Sequence, residues 1–162
     1  MVCRKLKNQT GVMTAKNVQW TALVCALLFI GGCGRPPLIG GKAESNPAAE
    51  QAAIQSAQAW LDVVDGGGYA KSWQDPAAIF QTAVSQPDWE KAVQAVRAPL
   101  GRMTSRKIKS RQYATSLPGA PDGQYVVIQY DTAFENKAGA VETVTPMLEK
   151  DGQWKVSGYY VK

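Results

Sequence analysis

The chain has 162 residues, of which 45% are hydrophobic, 18 are basic, 13 are acidic and none is histidine. That length holds one folded domain, and the hydrophobic share excludes both a disordered chain and a membrane protein of many spans. Without histidine there is no Ser-His or Cys-His nucleophile pair, no imidazole metal ligand and no histidine general base.

The formal net charge of +5 is uneven along the chain. Arg4, Lys5, Lys7 and Lys16 precede Cys33 and no acid does, which leaves 14 basic residues against 13 acidic ones in the remainder. A nucleic-acid-binding domain needs a basic stripe on its folded surface, and this balance removes the main support for one.

Residues 1–32 read as a lipoprotein signal peptide. A basic segment from Arg4 to Lys16 is followed by the apolar run Val18–Ile30, then Gly31, Gly32 and Cys33. The run is too short for a spanning helix, which needs about 20 apolar residues. Ile30-Gly31-Gly32-Cys33 resembles the bacterial lipobox. By that resemblance cleavage falls between Gly32 and Cys33, and the Cys33 thiol carries a diacylglycerol. Several acyl chains give stable membrane attachment where one gives only marginal binding. An ordinary cleaved signal with an incidental cysteine is the alternative. Cys3 and Cys25 leave with the leader, so the mature chain has no disulfide and no cysteine metal site. Gly34 follows the cysteine where inner-membrane lipoproteins often carry Asp, which favours the outer membrane and a periplasm-facing domain in the bacterial cell envelope.

Residues 33–45 join the lipidated cysteine to a flexible tether rich in Pro and Gly. Residues 46–162 are expected to form a single α+β domain. Asn46-Pro47 is a helix start, and Ile54, Ala57, Leu61 and Val64 then repeat at helical spacing until Gly66-Gly67-Gly68. Asp75-Pro76 predicts the start of a second helix with Trp73, Ala77, Phe80 and Val84 on one face. Ser85 starts a third, with Trp89, Val93, Val96 and Leu100 inward and a stop at Pro99.

The period then changes to two. Ser105–Ser116 reads as extended, and in Tyr125–Phe134 the residues Val126, Ile128, Tyr130, Thr132 and Phe134 share a face. Strands over Val141–Lys150 and Trp154–Val161 follow, joined at Asp151-Gly152, a strong hairpin signal. Leu117–Gly123 serves as the longer loop between the first two strands. About three N-terminal helices packed on a four-stranded antiparallel meander, cone-like in outline, is the expected architecture.

Three groups of residues are candidates for function. Trp60, Tyr69, Trp73, Tyr130, Trp154 and Tyr159 either fill the core or line a pocket between helices and sheet. Arg102–Arg111 holds five cations and no acid. As a strand it projects Lys107, Lys109 and Arg111 to one side and Arg106 to the other. These four make either a solvated, charge-protected edge or a contact for anionic headgroups. Among the carboxylates Asp62, Asp65, Asp131 and Glu142, Asp131 is the best candidate for acid–base work in a cavity. No phosphate loop, serine elbow or metal-ligand spacing is present, so no catalytic residue, cofactor or metal is assigned.

Ala59-Trp60-Leu61-Asp62, Asp65-Gly66-Gly67-Gly68-Tyr69-Ala70-Lys71-Ser72-Trp73, Ala95–Gly101, Ser116–Gly123 and Asp151-Gly152-Gln153-Trp154 together resemble the bacterial family called domain of unknown function 4019. The resemblance runs from about residue 50 to the C-terminus and implies an envelope protein with no established activity. The order of elements also resembles, more loosely, the cystatin-like or nuclear-transport-factor-2-like cone fold. Cone-fold enzymes commonly place Asp and His in the cavity, and this chain has no His. The resulting expectation is a lipid-anchored envelope protein, attached to the membrane through Cys33, whose domain binds an unknown small ligand. A module that binds an envelope protein without a pocket is the alternative, and a cone-fold enzyme using a cavity carboxylate is a remoter one.

Overall fold

Asn46 opens the first helix as its sequence suggests: its side chain accepts a hydrogen bond from the Ala49 amide at 3.1 Å, and Pro47 occupies the first turn. The structure is a computed structural model that describes residues 45–162. The leader, Gly32, Cys33 and nearly all of the tether lie outside the described residues. Helix α1 runs from Pro47 to Asp65 and buries Ala53, Ile54, Ala57, Trp60, Leu61 and Val64. It ends where Gly66 and Gly68 donate back to the carbonyls of Asp62 and Val63, with Gly67 at φ +76°.

The expected second helix is instead two short ones, α2 (Tyr69–Gln74) and α3 (Ala78–Ala83). Asp75 closes α2 and does not cap a helix start. The reason is Pro76, which has no amide hydrogen to give to the Ser72 carbonyl four residues back. The indole Nε1 of Trp60 supplies that bond at 2.8 Å. Ala77, turned to an extended conformation, donates to the Val156 carbonyl at 2.9 Å.

Helix α4 (Gln86–Leu100) is capped by Ser85 and continues one residue past Pro99 to end at Gly101, φ +74°. Its buried stripe is Trp89, Val93 and Arg97. The expected stripe placed Val96 inward, but Val96 is 45% exposed. An arginine sits in the core because acids meet it there, as described below.

Four antiparallel strands, β1 (Met103–Ala114), β2 (Tyr125–Phe134), β3 (Lys137–Leu148) and β4 (Trp154–Val161), pair in sequence order. β2 and β4 have the expected limits. β3 begins before Val141 because Glu135 and Asn136 form a two-residue turn that pairs Phe134 with Lys137. At the other hairpin Gly152, φ +79°, donates to the Glu149 carbonyl at 3.0 Å. Pro146 cannot donate to the ladder, and β4 accommodates it with Ser157 as an extra residue between Val156 and Gly158.

The helices cover one face of the sheet. Val126, Ile128, Tyr130, Thr132 and Phe134 of β2 are all buried on that face, as their alternation predicts. The described residues are therefore α+β, four helices on a four-stranded meander.

Candidate functional site

The most unusual chemistry lies inside the domain. Asp65, the last residue of α1, meets Arg97 from α4 and Arg106 from β1. Glu142 of β3 is fully buried and accepts from four donors: Arg106 Nε at 2.6 Å, Tyr159 Oη at 2.7 Å, Thr132 Oγ1 at 2.7 Å and Arg97 Nη1 at 3.1 Å. Arg106 holds Asp65 through both terminal nitrogens, at 2.7 and 3.1 Å. Two carboxylates thus face two guanidinium groups, with no charge left over. The Arg97 guanidinium also lies 4.7 Å from the centre of the Phe134 ring.

This environment moves the acid–base equilibria. Burial works to lower the pKa of both arginines, but the attraction and hydrogen bonds of Tyr159 and Asp65 for Arg97, and of Asp65 and Glu142 for Arg106, raise both above the ordinary value. Burial and the Glu142 carboxylate push the Tyr159 hydroxyl well up. Tyr130, on β2 opposite Glu142, is pushed to about 12, chiefly by burial. Its hydroxyl is buried and has no hydrogen-bond partner among the described residues.

The aromatic candidates do not form one group. Trp60 and Tyr159 stand 5.3 Å apart between ring centres and pack with Trp89 and Phe80 in a tilted, edge-on cluster. Tyr130 is buried beneath the helices, while Tyr69, Trp73 and Trp154 are partly buried at the margin of the core. Three indole nitrogens are occupied internally: Trp60 on the Ser72 carbonyl, Trp73 on that of Val84, and Trp89 on Ser72 Oγ.

The cations do not form a basic strip, which corrects the expected pattern. Lys109 is the extra residue of a bulge between Ile108 and Ser110, so the alternation reverses there. Lys107 and Lys109 lie on the open face of the sheet, but Arg111 crosses to the helix side and meets Glu50 of α1 at 2.7 Å. Arg106 is mostly enclosed in the cluster, Lys109 holds Asp131 at 2.9 Å, and Arg102 holds Glu135 at 2.7 Å. Among the described residues, Lys107 alone of these cations has no ion-pair partner. Asp131 stands exposed on the open face, away from the helices.

A cleft of about 360 Å³ opens between α1 and α2. Ala59, Trp60, Val63 and Val156 give it apolar walls, and Lys71 and Asp75 stand at its polar side. Trp60 is the expected pocket residue that reaches it. Among the described residues no three His, Cys, Asp or Glu side chains are grouped to hold a metal ion.

Sequence reasoning set Asp65 and Glu142 among the carboxylates but preferred Asp131, and it gave Arg97 no role. A usable signal was present. Arg97 continues the four-residue stripe of Trp89 and Val93, and Glu142 lies between Ala140 and Val144 in the alternation of β3. Charges of opposite sign at two inward positions point to each other.

The profile of a family described as protein of unknown function (DUF4019) matches residues 56–159. No curated protein and no solved structure matches, so the likeness to the cone fold rests on the order of elements alone. The matched span takes in α1 from Ser56 onward, α2 to α4, all four strands bar their last residues in β4, and every member of the buried charge cluster. The chain belongs to the DUF4019 family of proteins of unknown function.

Proposed function

We propose that this chain is a lipid-anchored bacterial envelope protein, facing the periplasm, whose domain binds a small ligand without transforming it. The observation that carries the binding reading is the α1–α2 cleft, about 360 Å³ with an indole in its wall, within the size range of small-molecule sites. The absence of a reaction is supported by the state of the carboxylates. Asp65 and Glu142 are each held by two arginines, and Asp131 stands in solvent on Lys109. None of these three is free to take a proton from a bound molecule, and Asp75 is the one carboxylate among the residues lining the cleft. The anchor is supported by Ile30-Gly31-Gly32-Cys33 behind the apolar run, and Gly34 favours the outer membrane.

The test is native mass spectrometry of the full chain extracted from the envelope in mild detergent. A reproducible extra mass beyond the acyl chains is expected. A chain bearing acyl groups and nothing else overturns the ligand reading and favours a protein partner. Labelled fatty acid is expected in the parent and absent from Cys33→Ser, and equal labelling of both overturns the anchor.

A further inference from the structure

We propose that the α1–α2 cleft takes a free α-amino acid with an apolar side chain, an inference that rests on the ligand-binding reading above. Lys71 of α2 and Asp75, which closes that helix, both line the cleft and both are exposed. Residues four apart on a helix stand about 5–6 Å apart at Cβ, within reach of each other for opposite charges. These two do not pair: among the described residues neither is in an ion pair. One unmatched cation and one unmatched anion therefore border the same concavity.

The remaining polar groups of the cleft are already used. Ser56 Oγ donates to the Trp154 carbonyl, Ser72 Oγ donates to the Tyr69 carbonyl and accepts from Trp89 Nε1, and the Trp60 Nε1 donates to the Ser72 carbonyl. The surface left for the inner part of a ligand is that of Ala59, Trp60, Val63 and Val156. A polar group pushed in there loses its water without gaining a partner. The complement of such a site is a compact zwitterion with an apolar tail. Its carboxylate accepts from Lys71 Nζ, its ammonium donates to Asp75, and its side chain lies on the indole of Trp60. A single amino acid carries both charges on one carbon and so presents them together to this one small concavity.

The experiment titrates the full chain with L-leucine by ligand-observed NMR and calorimetry, beside N-acetyl-leucine, which lacks the ammonium, and leucinamide, which lacks the carboxylate. Saturable binding of leucine is expected, at least ten-fold weaker for each blocked analogue. Lys71→Met and Asp75→Asn, both at exposed positions, are each expected to weaken it ten-fold or more with an unchanged Tm. No saturable binding in the millimolar range, equal binding of the blocked analogues, or indifference to both substitutions overturns the proposal. If leucine fails while the native chain carries an extra mass, the amino-acid assignment falls and the ligand reading stands. If both are negative, both fall.

Discussion

Replacing Glu142 by Gln tests the buried charge cluster directly. The side chain is fully buried and all four of its partners are donors. An amide must turn its own N–H groups either toward Arg97 and Tyr159 or toward Arg106 and Thr132, so donor faces donor on one side. The larger effect is charge, because Arg97 and Arg106 are left with Asp65 alone. Removing one member of a buried pair costs about 3–5 kcal/mol, a large part of the 5–15 kcal/mol or so that holds a domain folded. At about 4 °C per kcal/mol for a domain of this size, Tm falls by about 12–20 °C. Thermal unfolding followed by circular dichroism measures it. The companion variant Arg97→Met with Glu142→Leu removes one charge of each sign and leaves Asp65 on Arg106. It strips Thr132 and Tyr159 of their acceptor, at about 1 kcal/mol each, yet it is expected to be about 1–2 kcal/mol more stable than Glu142→Gln. Two results refute the reasoning. A Glu142→Gln chain within about 1 kcal/mol of the parent means the cluster is not desolvated. A double variant as unstable as the sum of its two singles means the charges act independently.

Tyr130→Phe removes a buried hydroxyl that has no hydrogen-bond partner among the described residues, so at pH 7 stability changes by less than about 1 kcal/mol, or rises. The same substitution alters the alkaline limb. The Tyr130 pKa is raised from 10.0 to about 12 in the folded state, so its contribution is complete below pH 10 and is lost as pH climbs from about 10 through about 12. The slope there is at most about 1.4 kcal/mol per pH unit, and Tyr130→Phe is expected to flatten the fall in urea midpoint over that range; parallel curves for parent and variant refute it. Gly101→Ala strains a residue at φ +74° and brings its Cβ to 3.0 Å from Glu135 Oε2, the acceptor of the Arg102 amide. Gly119→Ala has a similar φ of +77° but meets nothing within 4 Å. The first is expected to lower stability by about 2 kcal/mol and the second by about 1; equal losses in denaturant midpoint count against the Glu135 contact.

The parts of the fold that were legible are those whose cause is local. Alternation fixed the inward face of Tyr125–Phe134, and Asp151-Gly152 fixed the last hairpin, because both depend on a few adjacent residues. The start of β3 escaped notice because Lys137, Ala138, Gly139 and Ala140 have little strand character of their own and are held by pairing with β2. The break between α2 and α3 was half visible. Pro76 is in the sequence, but the indole that takes over its lost hydrogen bond comes from α1. The reversal of alternation in β1 belongs to the β1–β2 register, so strict period two put Arg111 on the wrong side.

The site is harder to read than the fold, because charge is matched across long stretches of chain. The run Arg102–Arg111 looks purely basic, yet its partners Glu135, Asp65, Glu142, Asp131 and Glu50 lie 22 to 61 residues away. The near-equal count of acids and bases after Cys33 was the only trace of that matching in the composition. The pairing also gives the cluster a role that an apolar core lacks. A one-residue slip of β1 against β2 turns every side chain to the opposite face, which carries Arg106 into solvent and leaves Glu142 and Asp65 with Arg97 alone. Since each carboxylate is shared between α4 and β1, the penalty for that slip falls on the helices and the sheet together. Four charges in a core are weak evidence for stability, but here they single out one register of the edge strand against its neighbours.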